Sequence, residues 1–222
     1  MEVIERRVMG ECHMKILVAD DHAIVRRGLR TVIGDDLPDA FIGEACTGRD
    51  AIERIRAESW DAVVLDLNLP DRNGLEILKL LKNEYPALPI IVLSFYPDEQ
   101  YAMRALKAGA AAYLNKETAP NELVHAISTA IRGQEYVRPT QAHQLVHGLR
   151  SQHRGTLHDV LSDRELEVLC SIANGKTIPE IAEILSLSVK TVSTYRSRIQ
   201  AKLQIKSTAA LIRYAIDQGF AG

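Results

Sequence analysis

Residues 63–78 read VVLDLNLPDRNGLEIL. A run of apolar residues stops abruptly at one carboxylate, Asp66. A Pro70-Asp71-Arg72-Asn73-Gly74 turn follows, and apolar residues then return at helical spacing. The pattern is strand, turn, helix. A carboxylate at the end of a buried strand is costly unless it is paired or has work to do, so Asp66 is a candidate functional group.

Outward from this stretch the same alternation recurs. KILVA at 15–19 reads as a short buried strand, with Asp20 and Asp21 at its end. Residues 23–33 have helical spacing (Ile24, Leu29, Val32, Ile33), and Phe41-Ile42 suggests a second strand. The pattern predicts a helix at 50–57, strand 62–65, helix 74–84, strand 89–93, helix 98–108, strand 111–114 and helix 119–131. Thr118 can cap the last helix, with Pro120 in its first turn. Five alternations of strand and helix imply a doubly wound parallel sheet with helices on both faces.

In such a sheet, sites form at the carboxyl ends of the strands. The polar residues there are Asp20 and Asp21, Asp66, Ser94 and Lys116. Each alone reads as an ordinary strand end or turn. Together they place three carboxylates, a hydroxyl and an ammonium at one edge. Clustered carboxylates repel, and Mg2+ is the hard cation suited to a few carboxylates plus water and phosphate oxygens. It would orient a phosphoryl donor for in-line attack by a carboxylate, with Lys116 and Ser94 meeting the phosphoryl oxygens.

The 222 residues suit one large domain or two modest ones. An apolar fraction of 46% fits a globular chain. No apolar run approaches the roughly 18 residues of a membrane span. Residues 1–14 read as an N-terminal extension, with Met14 directly before the first strand; they are charged and lack a signal core, so a cytoplasmic location is expected. Cys12, Cys46 and Cys170 are too few and too scattered for a disulfide framework, and Cys12-His13 finds no second ligand pair. Residues 1–131 hold 15 Lys and Arg against 21 Asp and Glu, whereas 160–222 hold 8 against 6. Within 188–206 five bases occur and no acid. This asymmetry suggests two jobs.

The segments ILVADDH, VVLDLNLPDRNG, IIVLS and GAAAYLNK resemble the receiver domain of two-component response regulators, over residues 15–131. The resemblance implies a flavodoxin-like five-stranded fold with Asp66 as phosphoacceptor and a phosphohistidine on a sensor histidine kinase as donor. It implies metal ligation by Asp21, Asp66 and the Asn68 backbone carbonyl, with Asp20 acting through water. Ser94 and Tyr113 match the switch pair, Tyr113 lying three residues before Lys116. Glu117 stands where many receivers carry proline.

Residues 132–158 lose the alternation and read as a linker. Ala142, Leu145, Val146 and Leu149 could form a short amphipathic helix, on which His143 and His147 lie four apart without a third metal ligand. From 159 to 222 the chain is helical. Ser162-x-x-Glu165 and Thr177-x-x-Glu180 are capping boxes, Gly175 can end the first helix, and Ser186–Ser188 make a tight break. Ile181, Ile184 and Leu185 mark the second helix, Val189, Val192, Ile199 and Leu203 the third, and Ser207 can cap a fourth. Short helix, tight turn and longer basic helix make a helix-turn-helix, whose second member enters the DNA major groove. At about 100° per residue, Lys190, Thr194, Ser197 and Ala201 point away from the apolar side, and Arg196 falls toward it.

LSDRELEVL and TIPEIAEILSLSVKTVSTYRSRIQAKL resemble the LuxR-type DNA-binding domain, a small four-helix unit. With the receiver in front, the whole chain resembles NarL/FixJ-type response regulators. The resemblance implies that Ser193, Thr194 and Ser197 face base edges. Lys190, Thr191, Tyr195, Arg198 and Lys202 tend toward phosphates. The expected activity is phosphorylation-controlled transcriptional regulation rather than catalysis, by a homodimer on double-stranded DNA, with RNA polymerase a further partner. Two rivals stand beside this reading. One is a phosphatase passing through an aspartyl phosphate, disfavoured because Asn68 stands where its second acid would be. The other is a constitutive DNA-binding regulator that uses the receiver only to dimerise.

Overall fold

The strands are β1 (Lys15–Ala19), β2 (Phe41–Ala45), β3 (Ala62–Asp66), β4 (Ile90–Ser94) and β5 (Ala112–Asn115). They pair in parallel, in the order β2-β1-β3-β4-β5. Parallel neighbours need long crossovers, and helices α1 (Ala23–Asp36), α2 (Gly48–Ala57), α3 (Gly74–Glu84), α4 (Asp98–Lys107) and α5 (Ala119–Ile131) supply or follow them. The computed structural model describes residues 13–95, 98–117, 119–138 and 160–220. Thr118, Cys12 and the expected linker helix with His143 and His147 lie outside the described residues.

The period-2 alternation of the strands divides the core in two. Leu17, Val63, Leu65, Val92 and Tyr113 face one side, where Ile52, Ile55, Leu75, Leu78 and Tyr101 of α2, α3 and α4 cover them. Ile16, Val18, Val64, Ile91 and Leu114 face the other, against Leu29 and Ile33 of α1 and Leu123 and Ile127 of α5.

Element ends differ from the sequence expectation by up to three residues, the first helix running on to Asp36 and the second strand to Ala45, and several of the differences have a local cause. Helix α2 starts at Gly48, because the Thr47 side chain caps it by accepting from Asp50 N–H. Strand β3 takes in Asp66, which pairs with Leu93. Strand β4 begins after Pro89, which has no N–H and joins the sheet only by accepting from Val63 N–H at 2.9 Å. Ile24, expected on the apolar stripe of α1, is 86% exposed, in a first turn where His22 and Ala23 are exposed as well.

The second part consists of α6 (Asp163–Ala173), α7 (Ile178–Ile184), α8 (Val189–Leu203) and α9 (Thr208–Asp217). Both capping boxes form as the spacing predicts, at Ser162 with Glu165 and at Thr177 with Glu180. Gly175, at φ +77°, turns the chain after α6 in the left-handed region that glycine tolerates. Leu166, Leu169, Ile181, Val192, Ile199, Leu203, Leu211 and Phe220 form its core. Ile184 and Val189 are about half exposed rather than in that core, because they flank the break between α7 and α8.

Helix α6 also packs against α3 and α4. The Tyr101 hydroxyl lies 3.7 Å from Cys170 Sγ, and Arg104 Nη1 donates to the Leu161 carbonyl at 3.0 Å and to Asp163 Oδ1 at 3.1 Å. Lys79 Nζ meets Asp163 Oδ2 at 2.5 Å. The Asn73 amide donates to Glu167 Oε2 at 3.1 Å. The apolar core on this face of the sheet therefore runs on into the helical part.

Candidate functional site

The sheet order reverses between β1 and β3, and crevices at such points open at the carboxyl ends of the strands. Asp66 ends β3 and Asp20 follows β1, each 1% exposed. Asp21 is a third exposed at its side chain. Lys116, just beyond β5, reaches between the two buried acids, its Nζ 2.6 Å from Asp66 Oδ2 and 2.6 Å from Asp20 Oδ2. Only the contact with Asp66 has hydrogen-bond geometry; Asp20 Oδ2 accepts no hydrogen bond. The other oxygens are tied locally, Asp20 Oδ1 accepting from His22 N–H at 2.8 Å and Asp66 Oδ1 from Asn68 N–H at 3.1 Å. The Phe95 ring lies over Lys116 Nζ, with its centroid at 5.0 Å.

Burial pushes the Asp66 carboxyl up to about 6. The Lys116 charge opposes this, the Asp20 charge adds to it, and the hydrogen bonds from Lys116 and Asn68 oppose it again. Two buried acids thus share one cation, an arrangement short of positive charge.

A divalent cation fits that shortage. Ligand atoms of Asp20, Asp21, His22 and Asp66 all lie within 4.8 Å of one another. The buried Asp20 Oδ2 and Asn68 Oδ1 have no hydrogen-bond partner. This oxygen-rich donor set suits a hard ion such as Mg2+. His22 was missed by the sequence reading, although its place directly after the two aspartates could have signalled it. Its Nδ1 lies 2.6 Å from Asp21 Oδ1.

Ser94, at the end of β4, is fully buried, and its carbonyl accepts from Lys116 N–H at 3.0 Å. Tyr113 also has no exposed surface. The Tyr113 ring thus lies inside the core and not at the surface. The loop from Asp66 to α3 is tightly closed. Gly74 N–H donates to the Leu67 carbonyl at 3.0 Å, Asn68 pairs with Asn73, and Asp71 accepts from the first amides of α2, Gly48 and Arg49, at 2.7 and 2.8 Å.

In the helical part, α7, the break at Ser186 (φ +51°) and α8 form the expected helix-turn-helix. Ser188 caps α8 by accepting from Thr191 N–H at 3.0 Å. Lys190, Thr194, Ser197 and Arg198 are exposed, and Thr191, Ser193 and Tyr195 are half-buried. Thr194 and Ser197 hydroxyls donate to the carbonyls one turn back, Lys190 and Ser193. Arg196 turns inward as expected, its Nε buried without a hydrogen bond. Lys202 differs from its outward neighbours: its Nζ lies 2.6 Å from Glu165 Oε2 and donates to the Val160 carbonyl at 3.1 Å.

The chain matches two families along its length: the response regulator receiver domain over residues 16–128, and the bacterial regulatory proteins of the luxR family over residues 159–215. It is 38% identical over 213 residues to an uncharacterized transcriptional regulatory protein, YhcZ, of Bacillus subtilis, covering 94% of this chain and 98% of that one. It is 34% identical over 207 residues to the response regulator UvrY of Escherichia coli K12, covering 93% and 95%. Among solved structures, the RcsB response regulator of Salmonella typhimurium is similar with a TM-score of 0.66 and 26% identity, covering 91% of this chain and 96% of that one. Another, of RcsB from Salmonella enterica serovar Typhimurium bound to promoter rprA with the phosphomimetic BeF3-, gives a TM-score of 0.61 at 26% identity over 91% and 98%. With the acidic pocket at the sheet edge and the helix-turn-helix behind it, the chain belongs to the NarL-type two-component response regulators, transcription factors that join a receiver domain to a LuxR-type DNA-binding domain.

Proposed function

We propose that Asp66 accepts a phosphoryl group from a phosphohistidine of a sensor histidine kinase, and that this controls dimerisation and promoter binding by the helix-turn-helix. The observation that carries the reading is the buried Asp66 carboxylate held at 2.6 Å by Lys116 beside a second buried acid. The Asp66 oxygen attacks phosphorus in line, the phosphorus–nitrogen bond breaks, and the kinase histidine leaves. Lys116 then exchanges its carboxylate partner for phosphoryl oxygens, and Ser94 donates to another. Asp21, Asp66 and the Asn68 backbone carbonyl would hold Mg2+, with Asp20 acting through water. When bound, Mg2+ neutralises charge on the transferring group. Phosphorylation adds roughly -1.5 to -2 charges at neutral pH, and the surface around α4 and β5 changes as the buried Ser94 and Tyr113 repack.

On DNA, Ser193, Thr194 and Ser197 face base edges, and Lys190, Thr191, Tyr195 and Arg198 meet phosphates. Lys202, tied to Glu165, contributes mainly through the fold of the domain. The DNA-bound RcsB structure supports this use of the domain in a relative. Two copies of the chain reading paired half-sites would match two-fold operators. Small hydroxyl side chains discriminate bases weakly, so DNA shape and water carry part of the readout.

The test is acetyl phosphate treatment of wild type and Asp66→Asn, followed by intact mass and promoter binding. Phosphoryl uptake and tighter binding are expected only in the wild type. Equal DNA binding by both proteins, with and without the donor, would rule the switch out.

A further inference from the structure

Glu167 is a carboxylate with 1% of its surface exposed, in α6 of the DNA-binding domain, and the chemistry above gives it no role. Burial pushes its pKa up, while Arg164 and the Asn73 amide oppose this. Arg164 Nη1 pairs with Glu167 Oε2 at 2.6 Å from within the same helix. The other donor, Asn73 at 3.1 Å, comes from the receiver. Asn73 is itself 4% exposed and ends the loop that begins at Asp66.

That loop has little freedom. Asn73 Oδ1 caps α3 by accepting from Leu75 N–H at 2.9 Å. Asn73 pairs with Asn68, whose N–H holds Asp66 Oδ1. A Cβ on Gly74 would meet the Asp66 carbonyl oxygen and Leu67 Cα at 2.5 Å, so the two ends of the loop touch through backbone. The Asn73 backbone therefore closes the phosphoacceptor loop through its bridge to Asn68, while its side chain caps α3 and holds the DNA-binding domain.

We infer that Asn73 and Glu167 form a latch that couples the phosphoacceptor loop directly to the DNA-binding domain, and that phosphorylation opens it. This rests on the reading of Asp66 as phosphoacceptor. Taking up the phosphoryl group shifts the Asn68 amide, the Asn68–Asn73 pair loosens, and the Asn73 amide swings off Glu167. Loss of that donor leaves a buried carboxylate with Arg164 as its remaining named partner, which favours undocking of α6. Tyr101–Cys170 and Arg104–Asp163 complete the docked face. Lys190, Thr194, Ser197 and Arg198 remain exposed in the docked arrangement. The latch thus fixes where α6 sits, and with it the domain's freedom to pair, without covering the outer face of α8.

Cys170 supplies a readout in the full-length chain. It is fully buried under Tyr101, and its thiol is pushed up to about 12, so it is unreactive while docked. Iodoacetamide labelling, followed peptide by peptide at about pH 8 with exposed Cys46 as internal control, reports undocking. Asn73→Asp keeps an equally good helix cap but removes the donor and sets a carboxylate against Glu167. It should label Cys170 about tenfold faster than wild type, the scale of one lost buried hydrogen bond to a charged group. Adding Glu167→Gln to it restores a donor–acceptor pair with reversed polarity, and the wild-type rate should return. Unchanged labelling in Asn73→Asp, or no recovery in the double variant, would overturn the latch.

Acetyl phosphate with Mg2+ should accelerate Cys170 labelling in wild type but not in Asp66→Asn. Uptake seen by intact mass with no change at Cys170 refutes the coupling and leaves the phosphoacceptor reading standing. No uptake at all refutes that reading, while the two Asn73 variants still decide whether the docked latch exists.

Discussion

Lys116 Nζ sits 2.6 Å from Asp66 Oδ2, and both side chains are almost fully withdrawn from water. Removing one partner of a buried ion pair is more harmful than never having had it, because an uncompensated charge remains. Lys116→Met leaves Asp66 and Asp20 facing each other without a cation. In metal-free buffer near neutral pH, urea denaturation should show the receiver less stable by about 3 kcal/mol. Adding Mg2+ should recover more stability in the variant than in wild type, because the ion takes over part of the lost neutralisation.

The Asp66 carboxyl is pushed up to about 6 by burial, above the ordinary 3.8 of an unfolded aspartate. Between those values the folded chain binds more protons than the unfolded one, so stability falls as pH rises. This contribution is complete below about pH 3.8 and lost above about pH 6. A shift of this size corresponds to about 3 kcal/mol. Asp66→Asn removes the titration. Measured in chelator, the variant should gain stability relative to wild type from about pH 4 to about pH 7 and level off beyond. A constant difference across that range would mean that Asp66 is ionised throughout.

How much of this was legible in the sequence depends on what each pattern reports. The run ending at Asp66 and the acids after β1 were readable because alternation and strand ends follow directly from residue order. Ile24, Ile184 and Val189 were misplaced because helical spacing identifies an apolar stripe but not how far the neighbouring element extends to cover it. The Asn73–Glu167 contact joins positions 94 residues apart, and no local periodicity carries such information. Lys202 looked like its outward neighbours because charge and helical phase do not show that Glu165, on another helix, has captured it.

Gly74 opens α3 against the backbone of Asp66 and Leu67. A methyl group there would need backbone atoms to give way, since its Cβ would lie 2.5 Å from the Asp66 carbonyl oxygen and from Leu67 Cα. Gly74→Ala should destabilise the receiver by about 1–3 kcal/mol, as overpacking does. Because the displaced atoms belong to Asp66 itself, phosphoryl uptake from acetyl phosphate should also slow. The control is Gly28→Ala, at a site with open space around it, which should leave uptake unchanged.

Lys190 and Lys202 lie on the same helix and carry the same charge, yet their surroundings predict different failures. Lys190 is exposed at the first turn of α8, whereas Lys202 Nζ is held by Glu165 and the Val160 carbonyl. The Glu165 carboxyl is held low by Lys202 and by the Ser162 amide and hydroxyl, against the opposing effect of burial. Lys190→Ala should weaken binding to any duplex and reduce the slope of log affinity against log salt by about 0.9, the share of one phosphate contact. Its melting temperature should stay that of wild type. Lys202→Ala should lower the melting temperature of the DNA-binding domain and leave the salt slope nearly intact. Titrating both variants against one duplex across a range of salt, beside their thermal unfolding, separates the roles. A full unit of slope lost in Lys202→Ala would mean that this lysine leaves Glu165 for a phosphate when DNA arrives.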